Sequence, residues 1–416
     1  MLLSLLACQP TTPAGGDDTA VDSGEPAPAY STPADCELSV EPGTVEGLQR
    51  WPYLQSGSTD GMTVVWGAST DATSAELRIS RDGSYDTVLA ASSWEVEDAE
   101  GPLQLFAARA EGLPAGTEYC YAVVTDGVVL AEGLRFRTAP SRDDATVRFM
   151  VIGDFGSGTE EQVLVRDRMF SHSEGVDLIL TTGDNAYGSG TYAEFDQHVF
   201  EVYQDMLHRA VLFPTPGNHD YNTDDAAPYL ANFVLPENAW REQDAERYYH
   251  VPWGPLDFVA LDSEGPILEI DAGDDDMVDW LHDVLTTSDR PWRVPAYHKP
   301  AVEGHATRGP DVFTLGLLVP EFEEHGIELV LQGHNHHYER FEPLVESATT
   351  VQEGGTTYVV TGGGGRSLYE LGDEDRRAVG IEEHHFLLGE VDDCTMTIES
   401  ISKYGETLDL FSLERC

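Results

Sequence analysis

Five times along this chain a short apolar run stops and a residue of metal-ligand type follows at once. VRFMVI runs into Gly153-Asp154-Phe155-Gly156, DLILTT into Gly183-Asp184-Asn185-Ala186-Tyr187, and AVLFPTP into Gly217-Asn218-His219-Asp220. WRVPAY leads to His298-Lys299-Pro300, and IELVLQ to Gly333-His334-Asn335-His336. Segments of helical period, such as TYAEFDQHVFEVYQDMLHR (191–209) and DDMVDWLHDVL (275–285), lie between the runs. Strands alternating with helices imply an α/β sheet with helices on its faces. Ligands bind such sheets in the crevice outside the strand ends, so the five junctions point to one site. A single Gly-Asp after a strand is an ordinary turn or cap. Five junctions delivering carboxylate, amide, phenol and imidazole groups are hard to assign to capping.

Before residue 147 the texture differs. MTVVWGAS (62–69), AELRISRDG (75–83) and TEYCYAVVTDGVV (117–129) are short alternating runs separated by turn residues. That pattern predicts a β-sandwich over 37–142, with LRFRTAP (134–140) as its last strand and SRDDAT (141–146) as the link to an α/β domain over 143–416. At the N-terminus, residues 1–8, MLLSLLAC, place an apolar run before Cys8 and resemble a bacterial lipobox. Cys8 is therefore expected to carry a lipid anchor on an exported protein of the cell envelope or exterior. Residues 9–36 are rich in Pro, Thr, Ala, Gly and Asp and read as a flexible linker. Four cysteines remain, an even number that suits two disulfides in an exported chain. Proximity within the two regions favours Cys36–Cys120 and Cys394–Cys416.

Charge limits what the site can bind. Lys+Arg 23 against Asp+Glu 75 gives a net −52, a field that repels nucleic acid and anionic membranes. A site for phosphate in such a chain needs strong local positive charge, as metal ions supply. Two Asp, one Asn, one Tyr and at least three His exceed the needs of one four-coordinate zinc. They suit two metals sharing a carboxylate. Carboxylate with phenolate favours a hard ion such as Fe(III), while imidazole with an amide oxygen suits a divalent ion. Metal pairs ~3.5–4 Å apart clamp the oxygens of an in-line displacement at phosphorus.

The ordered set GDFG, GDNAY, GNHD, His298 and GHNH resembles the five motifs of purple acid phosphatases, within the metallophosphoesterases. RWPYLQSGSTDGMTVVWGAS and GLPAGTEYCYAVV resemble the family's fibronectin-type N-terminal domain, and HYERFEPL and the GGGG loop its later catalytic blocks. Most metallophosphoesterases carry a histidine two residues after the first Asp; this chain has Gly156 there and offers Tyr187 instead. The resemblance implies a fibronectin- or Ig-like sandwich followed by a four-layer α/β/β/α catalytic domain. It implies that Asp154, Asp184, Tyr187 and His336 hold Fe(III), and that Asp184 bridges to a second metal, Zn, Mn or Fe, completed by Asn218, His298 and His334. His219, and His305 in HKPAVEGH as the match to a further family histidine, would be the catalytic residues that bond the phosphate oxygens or protonate the leaving group. The implied reaction is hydrolysis of a small phosphate monoester by a hydroxide held at the metals, at acidic pH.

Two other functions compete: a phosphodiesterase or other esterase on the same core, and a non-catalytic surface lipoprotein. Other polar features are expected to be structural. His337, between ligand motifs, should stand behind the ligands or face solvent, and His384 and His385 should be strand-edge residues. The acidic DAGDDDMVD (271–279) lacks the spacing of a calcium loop and reads as a helix start.

Overall fold

The computed structural model describes residues 36, 38, 40, 45–97, 99, 101–142, 146–265 and 276–416. Cys8, the linker up to residue 35 and residues 271–275 of the acidic stretch fall outside these.

Two large sheets organise the chain. The centre of a ten-stranded sheet is three parallel strands, Val147–Ile152, Leu178–Thr181 and Val211–Phe213. Antiparallel strands His385–Val391, Thr395–Ser402 and Thr407–Glu414 extend it on one side. A seven-stranded sheet has Leu256–Ala260, Trp292–Tyr297, Leu329–Gln332 and Thr357–Thr361 parallel in its middle. Period-2 alternation decides how the layers stack. Phe258 and Ala260 join the core shared with the first sheet, while Val259 joins a second core under helices Asp276–Thr287 and Val312–Glu324. Leu329 and Leu331 divide from Val330 in the same way. Helix Glu160–Ser171 buries Val165 and Met169 in the core of the first sheet. The layers are therefore helix, sheet, sheet, helix, as expected.

Local chemistry accounts for the helices. Thr159 caps the first by accepting from the Gln162 amide, with Glu160 and Glu161 in its positive first turn. Helix Asp276–Thr287 buries Met277, Trp280, Leu281, Val284 and Leu285, an apolar stripe one turn apart that leaves His282 outside it. Asp311 caps helix Val312–Glu324 through the Phe313 and Thr314 amides, each at 3.0 Å.

The β-rich N-terminal region is two four-stranded layers. Ala75–Ser80, Thr87–Ala90, Glu118–Thr125 and Val128–Arg137 form one. Leu48–Gln55, Gly61–Ala68, Ser92–Glu97 and Pro102–Glu111 form the other, which continues the ten-stranded sheet because Leu54 pairs in parallel with Val211. Buried polar groups reinforce that junction. Arg50 reaches Asp196 at 3.2 Å and Asn232 Oδ1 at 2.6 Å, and the Tyr121 hydroxyl donates to the His208 carbonyl at 2.7 Å. The two regions share one sheet and one core, a continuity that a linker at 141–146 does not anticipate. Both disulfides form as proximity suggests, Cys36–Cys120 and Cys394–Cys416.

Candidate metal centre

The strand ends deliver their side chains through unusual backbone. Asp154, Asp184 and His334 have φ of 56°, 50° and 68°, the left-handed region that non-glycine residues avoid. Strain of about 1–3 kcal/mol at each such residue persists only where the surroundings impose it. Here it turns the chain sharply after each strand. Gly156 explains the missing histidine of the first motif. A Cβ there would collide with the Asn185 carbonyl, and the Gly156 carbonyl accepts from the Tyr187 amide at 2.7 Å. The close approach that excludes a side chain at 156 thus also anchors the phenol-bearing loop.

Two groups of donors face each other. In the first, the Tyr187 hydroxyl donates to Asp154 Oδ1 at 2.9 Å and lies 3.2 Å from His336 Nε2, itself 3.2 Å from the same carboxylate oxygen. In the second, His298 Nε2 stands 3.3 Å from Asp184 Oδ1, 3.2 Å from Asn218 Oδ1 and 3.1 Å from His334 Nδ1. Ligand atoms of Asp184, His298 and His334 all lie within 4.8 Å of one another. Asp184 bears on both groups, since its carboxylate also acts on the Tyr187 phenol.

The donor chemistry fits metal ions. His298 Nδ1 donates to the Thr182 carbonyl at 2.9 Å and His336 Nδ1 to the Ser367 carbonyl at 2.8 Å. Those bonds fix the tautomers and aim both Nε2 atoms inward, the usual support for a ligating histidine. Inward, they meet carboxylate and amide oxygens, contacts that repel unless positive charge sits among them. Burial lowers the His298 pKa, but Asp184 and Asp154 overcome it and raise it to about 10. Burial, then His298, pushes His334 down to about 2. Burial and then Asp154 and Asp184 hold the Tyr187 phenol far above its usual range. The protons on Tyr187 and His298 leave other acceptors of the two groups facing one another, whereas two cations would meet them all. As phenolate, Tyr187 needs a strongly charged one.

Around the seven residues the structure sorts the remaining histidines. His219 Nδ1 donates to the Gly188 carbonyl at 2.6 Å, leaving Nε2 free 3.9 Å from Asp184 Oδ2. His305 lies at the rim, its ring 5.2 Å from that of Tyr369, and its Nδ1 accepts from the Thr307 and Arg308 amides. His337 does not face solvent: it is fully buried, with Nε2 3.0 Å from Glu339 Oε2. Glu339 also binds Arg377 at 2.7 Å and the Gly304 amide at 3.0 Å, so His337 belongs to a brace under the His305 loop. His384 and His385 are buried too. His385 opens an interior strand and bonds Thr361 Oγ1 at 3.0 Å, and His384 bonds the Gly363 carbonyl at 3.2 Å. They support the glycine loop, where a Cβ on Gly362 would sit 2.9 Å from Asp154 Oδ2.

Four residues at this site are not among those expected from the sequence: Arg308, Tyr369, Arg366 and Lys299. Arg308 reaches His334 Nε2 at 3.0 Å and lies 4.6 Å over the Tyr369 ring, which stacks on His336 at 3.9 Å. Arg366 lies 4.9 Å over the Tyr187 ring. Arg308 and Lys299 line a cavity of about 310 Å³ that opens beside His334. The signal was available: in a chain this acidic, two arginines beside ligand loops (HATRGP and GGGGRS) stand out.

Comparison with known proteins gives a consistent result. Residues 147–338 match the family model of calcineurin-like phosphoesterases. Purple acid phosphatase 17 of Arabidopsis thaliana is 27% identical over 239 residues, 51% of this chain and 70% of that protein. Probable inactive purple acid phosphatase 24 of the same plant is 23% identical over 300 residues, 60% of this chain and 47% of that protein. A solved purple acid phosphatase from yellow lupin superposes with a TM-score of 0.75 at 18% identity, covering 88% of this chain and 74% of its own, a likeness of fold.

Proposed function

From the premise that the chain belongs to the metallophosphoesterases and groups with the purple acid phosphatases, we propose that it hydrolyses phosphate monoesters at a dinuclear centre. The observation that carries this reading is the convergence of seven donors in two groups, with Asp184 between them. Asp154, Tyr187, His336 and Asp184 would hold Fe(III). Asp184, Asn218, His298 and His334 would hold Zn, Mn or Fe(II). When bound, the metal pair supplies charge against the phosphoryl oxygens and a lowered pKa for coordinated water.

The chain's own groups do the rest. His219, its Nδ1 committed to a carbonyl, keeps Nε2 to bond a phosphoryl oxygen or pass a proton to the leaving oxygen. Arg308 and Arg366 place cations beside the ligand side chains, offsetting locally the repulsion that the acidic surface exerts on an anionic substrate, while Lys299 is paired with Glu264 at 2.7 Å. His305, its Nδ1 accepting from two amides, carries its proton on Nε2 and fixes the loop that presents Arg308. Positioning and charge stabilisation of this kind are most of what phosphoryl transfer requires.

We place the enzyme outside the cytoplasm, held by a lipid at Cys8. Its two disulfides suit an oxidising compartment, and Cys8→Ala should release it from membranes. The substrate reading is tested by a panel of monoesters and diesters with metal-loaded protein. Monoesters are expected to turn over faster. Equal or better diester turnover would replace the monoesterase reading, and no turnover of any ester would favour the non-catalytic one.

A further inference from the structure

A second group of imidazoles and carboxylate lies on the outer helices, apart from the centre just described. His282 stands on helix Asp276–Thr287. Glu321 belongs to helix Val312–Glu324, and His325 caps that helix, so the latter two share one helical face. His282 Nδ1 is 2.9 Å from Glu321 Oε2 and 3.2 Å from His325 Nε2, and His325 Nε2 is 3.6 Å from Glu321 Oε2. Ligands of a tetrahedral zinc ion at about 2.0–2.1 Å stand roughly 3.3–3.4 Å apart. The three observed separations bracket that edge. We infer that His282, Glu321 and His325 form a site for a zinc-class divalent ion that ties the two outer helices together.

Several features favour this reading over a plain hydrogen-bonded cluster. Two imidazoles and one carboxylate converge through one atom each, the mixed N/O set that zinc accepts. The helix ends are also held in register without an ion: Arg293 donates to the Leu285 carbonyl at 2.8 Å and to the His325 carbonyl at 3.0 Å. Asp279 and Glu324 add negative charge around His282. The side chains of Glu321 and His325 are 17% and 12% exposed against 48% for His282, so water can complete the coordination from the His282 side.

The clamp lies outside the catalytic machinery. Helix Asp276–Thr287 precedes strand Trp292–Tyr297 and helix Val312–Glu324 precedes strand Leu329–Gln332. His282, Glu321 and His325 touch none of the crevice residues, so an ion there is read in stability and not in turnover.

Titration of the metal-loaded protein with Zn²⁺ by calorimetry tests this, with wild type beside the double variant His282→Gln/His325→Gln. Wild type is expected to take up one more equivalent than the variant, with equal phosphate-ester turnover, and to gain more in melting temperature on zinc addition. Equal zinc stoichiometry in the two chains would overturn the site. Because the count is a difference, it does not depend on which metals fill the central crevice or on its activity. Should the double variant fail to fold, His282→Gln alone changes only the exposed ring. Substitution with Co²⁺ then decides: additional tetrahedral visible bands in wild type and not in His282→Gln support the site, and identical spectra refute it.

Discussion

In the central crevice Asp154, Asp184, His298 and His336 stand at strand ends and are at most 4% exposed, whereas His282, Glu321 and His325 converge on the outside of two helices, with the His282 side chain 48% exposed. Both places gather the same chemical groups. The difference lies in what happens without a cation. Buried carboxylates facing imidazole lone pairs cannot be rescued by water, so the crevice is poorly tolerated empty. The outer group is solvated and can exist as a hydrogen-bonded cluster. Burial, rather than ligand type, therefore separates a centre on which activity depends from a clamp that adjusts stability.

The sharpest contrast is in turnover. His298→Ala should cost several kcal/mol of transition-state stabilisation, on the order of a thousand-fold in kcat/KM, together with bound metal. His282→Gln should leave turnover unchanged. Steady-state kinetics with metal analysis reads both, and similar losses in the two variants would erase the distinction.

Titration divides the two places with opposite signs. Burial, first among its causes, holds the His385 imidazole behind the crevice down to about 4 from an unperturbed 6.5, against the pull of the Glu383 carbonyl. Its contribution is fully present above pH 6.5 and is lost as pH falls toward 4, on the order of 1–3 kcal/mol. His282 is raised by its bond to Glu321, so any contribution it makes is present below pH 6.5 and lost at higher pH; solvent reaches its half-exposed ring, and its effect should be unmeasurable by comparison. Denaturant midpoints between pH 7 and 4 check this: His385→Asn should flatten the acid limb, and His282→Gln should not.

Adjacency to ligands can be separated from ligation. His337→Ala leaves Glu339 buried without one partner and should cost about 1–3 kcal/mol of stability while metal content and most activity remain. Loss of a metal in that variant would move His337 into the centre. The smallest effect concerns the empty clamp: in zinc-free buffer His282→Gln should shift stability by less than about 0.5 kcal/mol, the range of an ordinary surface change.

The same contrast explains what could be read from the chain. The seven crevice residues follow apolar strands within a few positions, Asp154, Asp184, Tyr187 and Asn218 from the ten-stranded sheet and His298, His334 and His336 from the seven-stranded one, and the two sheets face each other, so proximity to a strand end translates into proximity in space. His282 carries no such marker, because its partners lie 39 and 43 positions away on another helix and only the packing of the two helices joins them. Arg308 and Arg366 were missed for a related reason: they reach the centre from loops, whose course depends on bonds such as Arg366 N to the Asp154 carbonyl. The continuation of the N-terminal layer into the catalytic sheet rests on one short parallel pairing at Leu54, which no periodicity announces. Of the two places expected for His337, behind the ligands or toward solvent, the structure has the first, and alternation could not choose because it cannot see the buried Glu339 that partners it or the Arg377 that partners Glu339.

The visible spectrum of the purified protein, recorded with its metal content, tests the dinuclear centre most directly. Burial and two carboxylates keep the Tyr187 phenol protonated unless a strongly charged ion displaces the proton. An iron-containing protein with a broad charge-transfer band that disappears in Tyr187→Phe is the predicted result. A colourless, iron-free protein that still hydrolyses phosphate esters would contradict it.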